Sequence, residues 1–146
     1  MKNSVNIREL RKDDLQGVLE IDKTIRGFSR PDYWERRFIN VESIPPWASL
    51  VAEMDNRMVG FLFGWSSIWD FGVRDEVGWI DIIGVHPAYR LRGIGRALVD
   101  GFSRLAKDRR KVEKVFTLVA PEEAETTGFF SQIGFASGKL FHMKKG

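Results

Sequence analysis

The sequence predicts a mixed α/β fold in which helices cover both faces of a mixed sheet. Three observations carry that reading. The second half of the chain runs strand, helix, strand, helix, strand; the apolar positions after Ile94 recur every three or four residues; and two apolar runs are separated by the turn-forming Asp55, Asn56 and Arg57.

The elements follow in order. Val5, Ile7 and Leu10 alternate with polar residues as a short first strand, and Asp13 with Gln16 three residues on predicts a capping box. A helix over Leu15 to Thr24 follows. Ser29 and Pro31 open a second helix carrying Tyr33, Trp34 and Phe38, which Pro45 and Pro46 stop. Leu50 to Met54 and Met58 to about Trp69 form a hairpin, and a loop over Asp70 to Asp75 leads to Val77–Val85, a central strand rich in Ile, Val and Trp that ends before Pro87. Ile94, Ala97, Leu98, Gly101, Phe102 and Leu105 place one buried face on a long helix. Val115 to Val119 is a short buried strand. Pro121 opens a further helix, with Glu122 and Glu123 at its positive end and Gly134 closing it, and Phe135 to Met143 supplies a last strand.

The 146 residues suit one domain spanning 1–146, and 43% hydrophobic with 29% charged residues is ordinary for a globular protein. Cysteine is absent, which removes disulfides, thiolate metal sites and a cysteine nucleophile and fits a reducing compartment. Met1 to Arg11 lacks a basic patch followed by an apolar run, and the longest apolar stretch, Met58 to Trp65, contains two glycines and is far short of the ~20 residues that cross a bilayer. A cytoplasmic protein without a membrane partner is expected. The net charge is +3, and Arg90, Arg92, Arg96, Arg104, Lys107, Arg109, Arg110, Lys111 and Lys114 crowd into one quarter of the chain, a patch suited to a polyanion or to a solvated helix face.

The informative segment is Val85-His86-Pro87-Ala88-Tyr89-Arg90-Leu91-Arg92-Gly93-Ile94-Gly95-Arg96-Ala97-Leu98, a strand running through a glycine-bearing turn into the amphipathic helix. Free N–H groups at a helix start and the positive end of its dipole form an anion site. Gly93 and Gly95 let the chain turn sharply and a phosphate approach the backbone, and Arg90, Arg92 and Arg96 add charge. A diphosphate fits such a site. Neither a P-loop nor a dinucleotide fingerprint is present.

With R-x-x-G-x-G at Arg90, Gly93 and Gly95, Ile83-Gly84-Val85-His86-Pro87-Ala88-Tyr89-Arg90 before it, and Phe129-Phe130-Ser131-Gln132-Ile133-Gly134-Phe135 after it, the chain resembles the GNAT superfamily of acyl-CoA-dependent N-acyltransferases. The resemblance covers Val77 to about Met143. It implies a mostly antiparallel sheet of six to seven strands flanked by about four helices and splayed between strands four and five. It also implies transfer of an acetyl group from acetyl-CoA to a primary amine by direct attack in a ternary complex. The CoA pyrophosphate would lie on Arg90, Leu91, Arg92, Gly93, Ile94, Gly95 and Arg96. Ile83 and Val85 would pair with the pantetheine arm, Phe130 would line the cofactor, and an N–H near Val85 would polarise the thioester carbonyl.

Asp81 stands where the family often carries an acid. With an even offset it shares the face of Ile83 and Val85, and it is the first candidate for base or amine binder, ahead of Glu76 and Glu53. The family commonly has a tyrosine acid where this chain has Phe130, and an asparagine where it has Glu123. Tyr89 is the substitute candidate for the acid. His86 and His142 lack partners at ligand spacing, so no metal is expected. Trp65, Trp69 and Phe71 are candidates for an acceptor pocket, and Ile25 to Arg37 corresponds to the region that shapes the acceptor side in the family. The acceptor, whether protein N-terminus, lysine, polyamine, amino acid or aminoglycoside, is not legible. A homodimer is compatible with the resemblance, with no surface assigned. Two other readings stand beside this one: a regulatory acyl-CoA-binding module, favoured by Phe130, and a nucleic-acid-binding domain using Arg104 to Lys114, which lacks interleaved aromatics.

Overall fold

A computed structural model describes residues 4–39, 46–68 and 75–146. Strand β1 (Asn6–Glu9) leads through a 3-10 turn (Lys12–Asp14) to helix α1 (Leu15–Arg26), then helix α2 (Pro31–Ile39). A 3-10 turn (Pro46–Ala48) precedes the hairpin of β2 (Ser49–Met54) and β3 (Arg57–Ser67). Strand β4 (Val77–Val85), a 3-10 turn (Pro87–Tyr89), helix α3 (Ile94–Arg110), strand β5 (Val115–Thr117) and helix α4 (Ala124–Gln132) complete the order.

Five strands in sequence order make one sheet, antiparallel from β1 to β4 and parallel between β4 and β5. The hairpin is a two-residue turn in which Asp55 (φ 55°) and Asn56 (φ 59°) both take left-handed backbone, the combination whose twist suits antiparallel strands. Alternation along the strands sorts two cores. Leu50, Ala52, Leu62 and Ile80 pack under Ile94, Leu98 and Phe102 of α3 and Phe130 of α4, while Val51, Phe61 and Phe63 pack under Val18 and Ile21 of α1 and Trp34 and Phe38 of α2.

Burial ties the α1–α2 pair by polar contacts as well. Asp22, almost fully buried, accepts from Arg30 (3.0 Å), Arg26 (3.0 Å) and the indole N–H of Trp34 (2.8 Å). Burial alone would raise its pKa, yet those hydrogen bonds hold the carboxyl below its ordinary value.

Several expectations are corrected. The expected Asp13–Gln16 box is displaced by a 3-10 turn: Asp14 stands at the start of α1 without a side-chain bond to that helix, and its carboxylate closes the turn by accepting the Arg11 N–H (2.7 Å) and a two-pronged contact from Arg8 (2.8 and 2.9 Å). Helix α1 continues to Arg26 and closes on Gly27 (φ 85°), whose N–H donates to the Lys23 carbonyl. Helix α4 opens at Ala124, because Pro121 lies in a turn closed by the Glu123 N–H on the Ala120 carbonyl. Strand β5 stops at Thr117, leaving Leu118 exposed. Phe135 to Met143 forms no strand: the Phe135 N–H turns back to the Phe130 carbonyl, and Leu140, Phe141 and Met143 are exposed. The strand count among the described residues is therefore five rather than six to seven. Pro45, Trp69, Phe71 and most of the loop before Asp75 lie outside the described residues.

Candidate functional site

The site begins where β4 parts from β5. The two strands pair only at Gly78–Ile80 against Val115–Thr117, and the pairing ends as Thr117 Oγ1 donates to the Ile80 carbonyl (2.9 Å). Beyond that point β4 runs on to Val85 with no strand among the described residues on its β5 side, which is the expected splay. On its other side the register with β3 skips Asp81, since Phe63 faces Ile82 and Gly64 faces Ile80. This is a bulge of one residue.

The bulge inverts the alternation. Before it Ile80 packs on the α3 side; after it Ile83 and Val85 pack there, while Ile82 joins the α1–α2 core. The His86 N–H donates to the Val59 carbonyl on β3 (2.8 Å), so stepping back along an antiparallel ladder turns the N–H and C=O of Val85 and Ile83 away from β3, into the gap. The even offset predicts that Asp81 shares their face, and the bulge overturns that expectation. The Asp81 carboxylate points the other way, in an ion pair with Arg37 of α2.

At the end of β4 the His86 ring accepts the Ala88 N–H (3.1 Å) and caps the short turn. Leu91 (φ 64°) and Gly93 (φ 77°) take left-handed backbone, and α3 starts at Ile94, a buried anchor. The first bond into that helix runs from the Ala97 N–H to the Gly93 carbonyl (3.0 Å). Among the described residues none accepts from the backbone N–H groups of Leu91 to Arg96. A row of unpaired donors therefore stands at the positive end of a 17-residue helix.

The two glycines differ. A Cβ on Gly93 would meet nothing within 4 Å, whereas one on Gly95 would meet the Phe129 ring at 2.9 Å, so Gly95 lets α4 close against α3. Arg90 lies 3.8 Å from Glu125, Arg92 lies over the Tyr89 ring (5.2 Å), and Arg96 lies 3.8 Å from Asp100; all three are exposed to solvent.

The remaining candidates separate. Glu53 sits on β2, held by Arg8 (3.2 Å), whose hydrogen bond lowers its pKa. Glu76 accepts from Ser66 (3.1 Å) and Arg110 (2.9 Å) before β4 begins, at the end opposite the loop. Tyr89 is half-buried between His86 and Arg92. Phe130 is buried between Phe129 and Phe135, with both ring centroids 5.0 Å away. Glu123 stands at the start of α4, where its carbonyl accepts the Thr127 N–H (3.0 Å) and its side chain makes no cap bond, and His142 is exposed in the tail. Trp65 stacks on Trp79 (5.7 Å), which meets Phe116 edge-on (5.1 Å). The resemblance implies a bulge before the splay and places Arg37 at the end of the acceptor-side region; what sequence reasoning missed is the turn of Asp81 to the other face, its ion pair with Arg37 and the Phe129–Gly95 contact.

A profile of the acetyltransferase (GNAT) family matches residues 8–135. The chain belongs to that family. An N-alpha-acetyltransferase of Sulfurisphaera tokodaii is 24% identical over 139 residues, covering 92% of this chain and 81% of that protein. An uncharacterized N-acetyltransferase of Methanocaldococcus jannaschii is 32% identical over 139 residues; the match covers 88% of this chain and 59% of that longer protein. The fold of this acetyltransferase matches that of the aminoglycoside N-acetyltransferase AAC(6')-Iy solved with CoA, at a TM-score of 0.82 and 18% identity over 99% of this chain and 97% of that one. Among its described residues no helix is long and apolar enough to cross a membrane.

Proposed function

We infer that this acetyltransferase moves the acetyl group of acetyl-CoA to the nitrogen of a primary amine, by direct attack while both are bound. Acetyl-CoA, when bound, supplies a thioester whose carbonyl carbon takes the amine nitrogen: the C–N bond forms, the C–S bond breaks, the amine gives up a proton and the sulfur leaves as thiolate. The observation that carries this reading is the run of unpaired N–H groups from Leu91 to Arg96 beside the open edge of β4.

Each residue then has a role. The amides of Leu91 to Arg96 hold the diphosphate, with Arg90, Arg92 and Arg96 adding charge around it. The main-chain groups of Ile83 and Val85 pair with the pantetheine arm, and an N–H in that stretch donates to the thioester oxygen as it gains charge. Phe130 contributes an apolar wall. Asp81, on the opposite side of the sheet from α3, meets the amine that arrives there and accepts its proton directly or through water. Tyr89 is the hydroxyl next to the loop and the candidate donor to the thiolate. A cytoplasmic setting belongs to this reading and rests on the absence of cysteine.

Because Phe130 carries no hydroxyl, a second reading is an acyl-CoA-binding module without turnover. A thiol-release assay with acetyl-CoA and a panel of amines separates the two. Release that depends on an amine supports the enzyme. Binding of acetyl-CoA with no release under any amine supports the module, and no binding removes both.

A further inference from the structure

The mouth of the gap carries two opposite charges, and we propose that they select the acceptor: an α-amino acid whose ammonium group meets Asp81 and whose carboxylate meets Arg37. The proposal rests on the acetyl-transfer reading and names its substrate class.

Asp81 is the first residue of β4 beyond the pairing with β5, and the bulge turns its side chain to the face opposite Ile83, Val85 and α3. An acceptor approaching from the α2 side therefore meets Asp81 where the gap opens. The ion pair with Arg37 is accessible, with side-chain exposures of 41% for Asp81 and 31% for Arg37. Arg37 is anchored independently, its guanidinium lying 5.4 Å from the Phe63 ring centroid, so it can turn away from Asp81 without leaving the sheet. Trp79, two residues before Asp81, is buried against Trp65 and Phe116 and holds this end of β4 in place.

Counting charges decides among acceptors. A simple amine that takes Asp81 leaves Arg37 without its counter-ion, and a polycation adds further positive charge beside it. The buried carboxylate of the same helix pair, Asp22, cannot offset that charge, because Arg26, Arg30 and Trp34 already occupy it. A zwitterion exchanges one ion pair for two and leaves neither side chain uncompensated. Arginine also matches the planar geometry of a carboxylate with two parallel N–H donors.

The test compares initial rates with acetyl-CoA and, in separate reactions, a pool of the twenty amino acids, a pool of their carboxamides, spermidine and kanamycin. The amino-acid pool should be acetylated at least ~10-fold faster than the carboxamides, the loss expected for a charge-assisted hydrogen bond. Arg37→Gln should raise KM for the best amino acid by roughly 10- to 100-fold with kcat little changed, and Arg37→Lys should recover part of it. The melting temperature and its rise with acetyl-CoA, measured on each variant, show that the fold and cofactor site are intact. Equal rates for amides and acids, preference for spermidine or kanamycin, or an unchanged KM in Arg37→Gln overturns the proposal. An absence of transfer to any acceptor in a protein that acetyl-CoA still stabilises overturns the acetyl-transfer reading along with the proposal and supports the binding module. Absence of that stabilisation would remove both the enzyme and the binding module, whereas transfer to the wrong acceptor overturns the amino-acid proposal alone.

Discussion

Replacing Gly93 with glutamate isolates the anion site from the fold. Gly93 has φ 77° and a Cβ there would touch nothing within 4 Å, so the substitution costs left-handed backbone strain and no collision. That strain is ~1 to 2 kcal/mol. At about 2 to 4 °C per kcal/mol for a chain of this size, Gly93→Glu should melt roughly 2 to 8 °C below the parent and remain folded. Acetyl-CoA at ~100 times its dissociation constant should raise the parent's stability by ~2.7 kcal/mol. A carboxylate among the donors of Leu91 to Arg96 faces the diphosphate, and two unit charges ~5 Å apart at an effective dielectric of ~20 repel by about 3 kcal/mol, enough to erase that gain. Gly93→Ala carries the same backbone strain without the charge and should keep most of the ligand-induced shift. The assay is thermal melting with and without acetyl-CoA. If folded Gly93→Glu is stabilised as much as Gly93→Ala, the diphosphate does not lie on these amides.

Three further predictions concern the fold and the proton. Gly95→Ala should lower the melting temperature because its methyl meets the Phe129 ring at 2.9 Å, whereas in a Phe129→Ala background the same change should raise it through the ~1 kcal/mol helix preference of alanine; like signs in both backgrounds would refute the contact. Asp22→Asn should destabilise by about 3 kcal/mol near neutral pH. Because the folded pKa of Asp22 lies below its ordinary 3.8, the stabilisation is complete above about pH 5 and is lost as pH falls from there through the folded value, so parent and variant should converge in acid; a difference independent of pH would count against the ion-pair account. Asp81→Asn should lower kcat, and full turnover across pH 6 to 9 would show that another group takes the proton.

Much of the fold was legible because its signals are local. Val77–Val85 reads as a strand from its continuous apolar run, and the α3 pattern reads as a helix from buried Ile94, Leu98, Val99, Phe102 and Ala106. The paired glycines likewise announce a backbone device. What failed depends on partners distant in sequence. A skipped register at Asp81 leaves no mark on β4 alone, since only the pairing with β3 reveals it, and one skipped residue moves a carboxylate to the opposite face. Phe135 to Met143 carries apolar residues that suit a strand, yet such residues cannot supply a neighbour with free main-chain groups. The role of Gly95 required Phe129, which sits on another helix. Asp14 and Asp13 are adjacent acids, and only the reach of Arg8 from β1 tells which one is held in place.

The most direct measurement is a crystal structure with coenzyme A. Diphosphate oxygens about 2.7 to 3.2 Å from backbone nitrogens between Leu91 and Arg96, with the pantetheine arm on the main chain of Ile83 and Val85, is the predicted result. A diphosphate seated elsewhere, for instance on Arg104, Lys107 and Lys114 in the hollow between α3 and β5, with the amides at the start of α3 untouched, would contradict it.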